Sequence, residues 1–204
     1  MALRDTILAD YFYRFLDRIR IPGIEHPSVS PNQFTVLGLI LAVMAPVGFY
    51  IHPLFGLICI VLSGSADAMD GLVAKNQGMH SVFGAFLDSS FDRISDFLYV
   101  MGFWVLFWES AQLILATSLI FACCLFAFMI SYLKARAESL GGRCNKGLME
   151  RGLRTVYLIG WALALCVLPP FFETILWAGL GIFCILTFFT MIQRIVHIRS
   201  ELSQ

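Results

Sequence analysis

The chain has 204 residues, of which 59% are hydrophobic and only 14% charged, with 14 basic side chains against 14 acidic ones. Ordinary globular domains carry about 25% charged residues, and a mean hydropathy of +0.80 excludes that class. Apolar stretches of about 20 residues recur, the length a bilayer core requires, so the expected fold is an all-α integral membrane protein, a single domain over 1–204.

The first predicted element is an amphipathic helix over 1–22. Leu3, Ile7, Leu8, Tyr11, Phe12, Phe15, Leu16 and Ile19 recur at helical spacing, with Asp5, Asp10, Arg14, Asp17 and Arg18 on the other face. That pattern predicts a helix lying in the membrane interface. Pro22-Gly23 ends it, and Ser30 or Asn32 is placed to cap the next helix. Residues 1–20 lack the continuous apolar core of a signal peptide.

Six spans follow, at 33–52, 54–75, 82–107, 110–134, 150–168 and 174–195, within a transmembrane core over 33–199. Lys and Arg fall at 4–20, at Lys75 and Arg93, between Lys134 and Arg154, and at Arg194 and Arg199. The connections at 52–53, 108–111 and 169–173 contain none. Six spans put all these cations near one side, which the positive-inside rule makes cytoplasmic. The expected location is the plasma membrane, with the active site facing the cytoplasm. Six cysteines are present; Cys59, Cys123, Cys124, Cys166 and Cys184 lie in apolar spans and Cys144 in a loop, without zinc-ligand spacing. They are read as small packing residues.

Spans two and three carry the unusual chemistry. Asp67 and Asp70 are three residues apart, Asp88 and Asp92 four, so each pair shares one helix face. A carboxylate costs roughly 2.5–3.5 kcal/mol at the centre of a membrane helix, and four on facing helices require compensating positive charge. Divalent cations supply it, since oxygen ligands suit magnesium, calcium or manganese. Counting back from Lys75, Asp70 and Asp67 lie about 8 and 12 Å along the helix, which places the acids near the cytoplasmic headgroup level. Ser63-Gly64-Ser65-Ala66 before Asp67 serves close helix packing or leaves room for a ligand. Asp96, one turn beyond Asp92, either joins the site or pairs with Arg93. His80 is read as a solvated loop residue, and Tyr132 and Met149 as packing.

The basic connection from Lys134 to Arg154 has two readings. It is either the ordinary charge of a cytoplasmic loop or an anion pocket beside the aspartates, in which Lys134, Arg136, Arg151 and Arg154 would grip a phosphate.

Asp67, Asp70, Gly71, Ala74, Gly84, Asp88 and Asp92 meet, at fixed spacing, the signature of the CDP-alcohol phosphotransferase family, which this chain resembles. Lys75 stands where that family usually has Arg. Ser30-Pro31-Asn32-Gln33-Phe34-Thr35 resembles the family's approach to its first span. Lys134-Ala-Arg136-Ala-Glu138, Gly147 to Arg151, and Thr190-Met-Ile-Gln193-Arg194 are similar to the branch making phosphatidylinositol phosphate or its archaeal ether-lipid counterpart. Leu153 stands where that branch often has Glu.

The resemblance implies transfer of a phosphatidyl-type group from a CDP-linked lipid to an alcohol, with release of CMP. It implies two Mg2+ ions, or Mn2+, held by Asp67, Asp70, Asp88 and Asp92, with Asp92 also the general base. Pro31, Asn32, Asp67, Asp70, Gly71, Ala74, Lys75 and Gly84 would form the nucleotide site. The expected acceptor is a small phosphorylated alcohol, inositol phosphate first and glycerol 3-phosphate second, and a homodimer is implied. Membrane lipids surround the chain, and no nucleic-acid partner is expected. A divalent-cation transporter is the rival from another class; against it, the second half offers no matching pair of acids.

Overall fold

A computed structural model describes residues 30–77, 81–144 and 146–202, and the backbone alone at 75–77. The interfacial helix expected at 1–22, the cations at 4–20 and His80 lie outside the described residues. Six long helices occur there and no strand: α1 (Pro31–Ile51), α2 (Pro53–Gln77), α3 (Val82–Val105), α4 (Leu113–Ser139), α5 (Arg151–Val167) and α6 (Phe172–Leu202). One 3-10 turn, Pro169–Phe171, precedes α6. Four segments are long and apolar enough to cross a membrane: Pro31–Ile51, Pro53–Ala74, Leu113–Ser139 and Pro169–Leu202. The 24-residue α3 has the length but carries Asp88, Asp92, Arg93 and Asp96. With 17 residues, α5 extends only about 25 Å. Side chains such as Tyr50, Ile114, Phe121, Phe128 and Ile185 are each more than half exposed, an apolar surface suited to lipid and not to water.

The helix ends mostly fall within a few residues of those expected, with two corrections. The fourth span, predicted to end at 134, continues as helix to Ser139, because Lys134-Ala-Arg136-Ala-Glu138 are good helix formers. It stops before Gly141, whose φ of +84° is accessible to glycine. The last span, predicted to end at 195, runs to Leu202 for want of any glycine or proline after Arg194.

The chain forms two compact units, one holding residues 30–106 and the other 107–202. In the first, Ser30 caps α1, and its backbone N–H donates to Gln33 Oε1 at 3.2 Å. α1 and α2 are joined through His52 alone: Phe55 N–H donates to His52 O at 2.9 Å, and Leu54 N–H to His52 Nδ1 at 3.2 Å. The two helices approach closely at Gly48 and Gly56; a Cβ on Gly48 would stand 2.9 Å from Gly56 N, and one on Gly56 would strike the Phe49 ring. Phe49 fills the space beside Gly102 and packs on Phe103 with ring centroids 4.7 Å apart.

In the second unit, Tyr157 stacks on Phe183 at 5.5 Å and its hydroxyl donates to Gly179 O at 2.8 Å. Trp161 donates to Ile175 O at 3.1 Å, and Phe107 meets Trp177 edge-on at 4.9 Å. All six cysteines are free thiols, with Cys123 and Cys144 buried.

Candidate active site

The acidic site is built on α2 and α3. One carboxylate oxygen from each of Asp67, Asp70 and Asp88 lies within 4.8 Å of the other two. Asp70 is buried at 8% exposure, whereas Asp67 and Asp88 are half-buried. Like charges so close are mutually destabilising unless a cation joins them. Three hard oxygen donors brought this close fit magnesium or manganese. Asp92, the fourth predicted ligand, is not among these three; it is buried one turn further along α3, as is Asp96 another turn on. Arg93 donates to Ser89 O on its own helix.

Two interhelical ties join the helices around it. Thr35 Oγ1 on α1 donates to Asp70 Oδ2 at 2.8 Å. Ser63 Oγ on α2 donates to Gly38 O at 2.6 Å and accepts from Tyr99 OH of α3 at 2.7 Å. Ser63 of the small-residue stretch is thus buried and committed to packing, while Gly64 and Ser65 remain half-exposed. Sequence reading placed Thr35 in the approach to the first span but gave it no task. Its partner lies 35 residues away, which no local spacing reveals.

The predicted nucleotide residues fall on the same unit. Gly71 is exposed, and a Cβ there would meet nothing within 4 Å among the described residues. Asn32 is exposed and Pro31 half-buried. A Cβ on Gly84 would stand 3.7 Å from Asn32 Oδ1 and 2.8 Å from Ser81 Oγ, which caps α3 by accepting from Gly84 N–H at 2.8 Å. Ala74 is half-buried, and the Lys75 side chain lies outside the described residues.

The predicted acceptor cations lie on the 107–202 unit and differ in kind. Lys134 and Arg151 are half-buried and Arg136 is exposed, near Ser139 Oγ at 3.5 Å. Arg154 is buried at 2% exposure and donates to Met149 O at 3.1 Å. Sequence reading used Arg194 for the charge pattern and for its resemblance, but it also organises the connection before α5. Its Nε donates to Lys146 O at 2.9 Å and its Nη1 to Ile130 O at 2.5 Å, and Nη2 lies 3.7 Å from Glu150. Gly147, at φ +140°, passes so close that a Cβ would stand 2.9 Å from Arg194 Nε. Thr190 Oγ1 accepts from Met149 N–H at 3.1 Å, and Met149 is buried. Tyr132 is about half exposed.

The family profile described as CDP-alcohol phosphatidyltransferase matches residues 28–192, which span both units. The chain is 32% identical over 190 residues to an archaetidylinositol phosphate synthase of Methanothermobacter thermautotrophicus, covering 93% of this chain and 91% of that protein. It is 33% identical over 178 residues to a phosphatidylinositol phosphate synthase of Corynebacterium glutamicum, covering 82% and 77%. Among solved structures it is similar to Mycobacterium tuberculosis phosphatidylinositol phosphate synthase with CDP-DAG bound, at TM-score 0.71 and 26% identity over 92% of each chain. The same enzyme in complex with manganese and citrate gives TM-score 0.75 and 25% identity, covering 92% of this chain and 87% of that one. With its acidic signature and its membrane-length apolar helices, the chain belongs to the CDP-alcohol phosphatidyltransferase family, and it is a transferase of phosphate-containing groups.

Proposed function

We propose that the protein transfers a phosphatidyl-type group from a CDP-linked lipid to a hydroxyl of inositol phosphate, releasing CMP. The observation that carries this reading is the gathering of Asp67, Asp70 and Asp88 oxygens within 4.8 Å, in a chain about a third identical to inositol phosphate-lipid synthases over most of its length. Asp67, Asp70 and Asp88, with Asp92 beside them, would hold two divalent cations, Mg2+ or Mn2+. When bound, such ions supply Lewis-acid neutralisation of the diphosphate and of the departing CMP.

The chain's own residues do the rest. Gly71 leaves room for the nucleotide against α2, with Pro31, Asn32, Ala74, Lys75 and Gly84 around it. Asp92, buried at 8% exposure, accepts the proton of the acceptor hydroxyl as it attacks the lipid-bearing phosphorus. Lys134, Arg136 and Arg151 supply charge for the acceptor phosphate. Arg154 supports them from the interior, holding the chain at Met149.

The six helices all cross the plasma membrane as one domain, after an interfacial helix at 1–22, with the acids facing the cytoplasm. Two chains associate as a homodimer. The test is CMP release from a CDP-lipid by the purified full chain, offered inositol phosphate, glycerol 3-phosphate, inositol or serine in competition. Inositol phosphate should be consumed first; preference for glycerol 3-phosphate would reassign the acceptor, and activity with serine alone would remove the phosphate pocket.

A further inference from the structure

We propose that Thr35 is a positioning residue for the carboxylate centre, holding Asp70 so that its carboxylate is presented to the neighbouring acids. The proposal rests on reading Asp67, Asp70 and Asp88 as a divalent-cation site. Thr35 lies one turn into α1 at 7% exposure. Its hydroxyl has one proton and two acceptors in reach, Asp70 Oδ2 at 2.8 Å and Pro31 O at 3.3 Å. The carboxylate is both nearer and charged, so the proton goes to Asp70, a charge-assisted hydrogen bond of the stronger kind. Threonine suits the task because its branched Cβ restricts rotation about χ1 and keeps the hydroxyl aimed.

A second tie joins the same two helices without touching the acids. Gly38 is three residues after Thr35, and Ser63 is seven before Asp70, two turns along the same face of α2. The Ser63–Gly38 hydrogen bond, backed by Tyr99, adds to the packing of α2 on α1 at a level two turns from Asp70. A Cβ on Gly38 would stand 3.4 Å from Ser63 O and 3.8 Å from Asp67 N, so α1 lies directly against the helix that carries both acids. The two ties have different roles. Ser63 joins helices, whereas Thr35 touches a carboxylate of the cluster itself.

The experiment is a manganese titration of the full chain in detergent, followed by the electron paramagnetic resonance of unbound Mn2+. Thr35→Val keeps the side-chain shape and removes the donor, and should weaken manganese binding about 10- to 100-fold, the usual loss when a partner of a metal ligand is removed. Thr35→Ser keeps the hydroxyl and should retain most of the affinity. Thr35→Ala repeats the deletion should the valine chain not fold. Ser63→Ala should lower thermal stability while leaving manganese affinity near that of the parent chain. Lost turnover in Thr35→Val should return on raising the manganese concentration, a rescue that a purely structural defect would not show. Unchanged manganese affinity in Thr35→Val or Thr35→Ala, or an equal loss in Ser63→Ala, would overturn the positioning role. A parent chain that binds no manganese would instead overturn the cation site on which the role depends.

Discussion

The two units handle charge in opposite ways. In residues 30–106, three carboxylates converge within 4.8 Å although they repel one another. In residues 107–202, the most buried cations, Arg154 and Arg194, donate to backbone carbonyls, Arg154 at Met149 and Arg194 at Lys146 and Ile130. Convergence of like charge costs stability and is retained where something binds it. Dispersed cations on carbonyls stabilise a connection. The first unit thus has the marks of a reacting centre, and the second has a braced connection on which the half-buried Lys134 and Arg151 and the exposed Arg136 are carried.

Substitutions sharpen that contrast. The largest effect is expected for Asp92→Asn, which removes a base while leaving size and burial alike. Turnover should fall about 10³-fold, with CDP-lipid binding largely kept; unchanged turnover would remove Asp92 from the chemistry. Next come the cations, where burial predicts the kind of damage. Arg194→Ala strips the Lys146 and Ile130 carbonyls of a charged donor and Glu150 of its ion-pair partner. It should cost about 2–4 kcal/mol of stability, read as a lowered thermal midpoint in detergent. Arg151→Ala should leave that midpoint near the parent value and raise the acceptor KM about tenfold, the worth of one charge-assisted hydrogen bond. Equal rises in donor and acceptor KM would deny the second unit a dedicated acceptor role. The smallest effect is expected at Gly71→Ala, where an added methyl has open space. Stability should rise by up to about 1 kcal/mol from helix propensity, while the donor KM rises a few-fold; an unchanged donor KM would place the nucleotide elsewhere.

The acids, the helices and the reaction class were legible because each is written locally. Aspartates three and four residues apart share a helix face whatever surrounds them, and apolar runs of membrane length announce themselves. Helix ends were legible where a breaker stood, as at the proline after His52, and overshot where none did, as beyond Lys134 and Arg194. The pairing of Thr35 with Asp70 was not legible. It depends on the rotation of α2 against α1, which Gly48, Gly56 and Phe49 set by shape and not by any motif. Nor was the division of the cations into buried and extended ones, because Arg151 and Arg154 look alike in sequence and differ only in which side of α5 meets the interior.

The reversal at His52 carries a consequence for how the protein is made. A connection of one residue leaves no length of chain able to wait on the far side of the bilayer while the next helix follows. Two helices joined in this way are suited to entering the membrane together, as a folded hairpin. Thr35 and Asp70 then arrive on the same side from opposite directions, and the first half of the site is brought together at insertion itself.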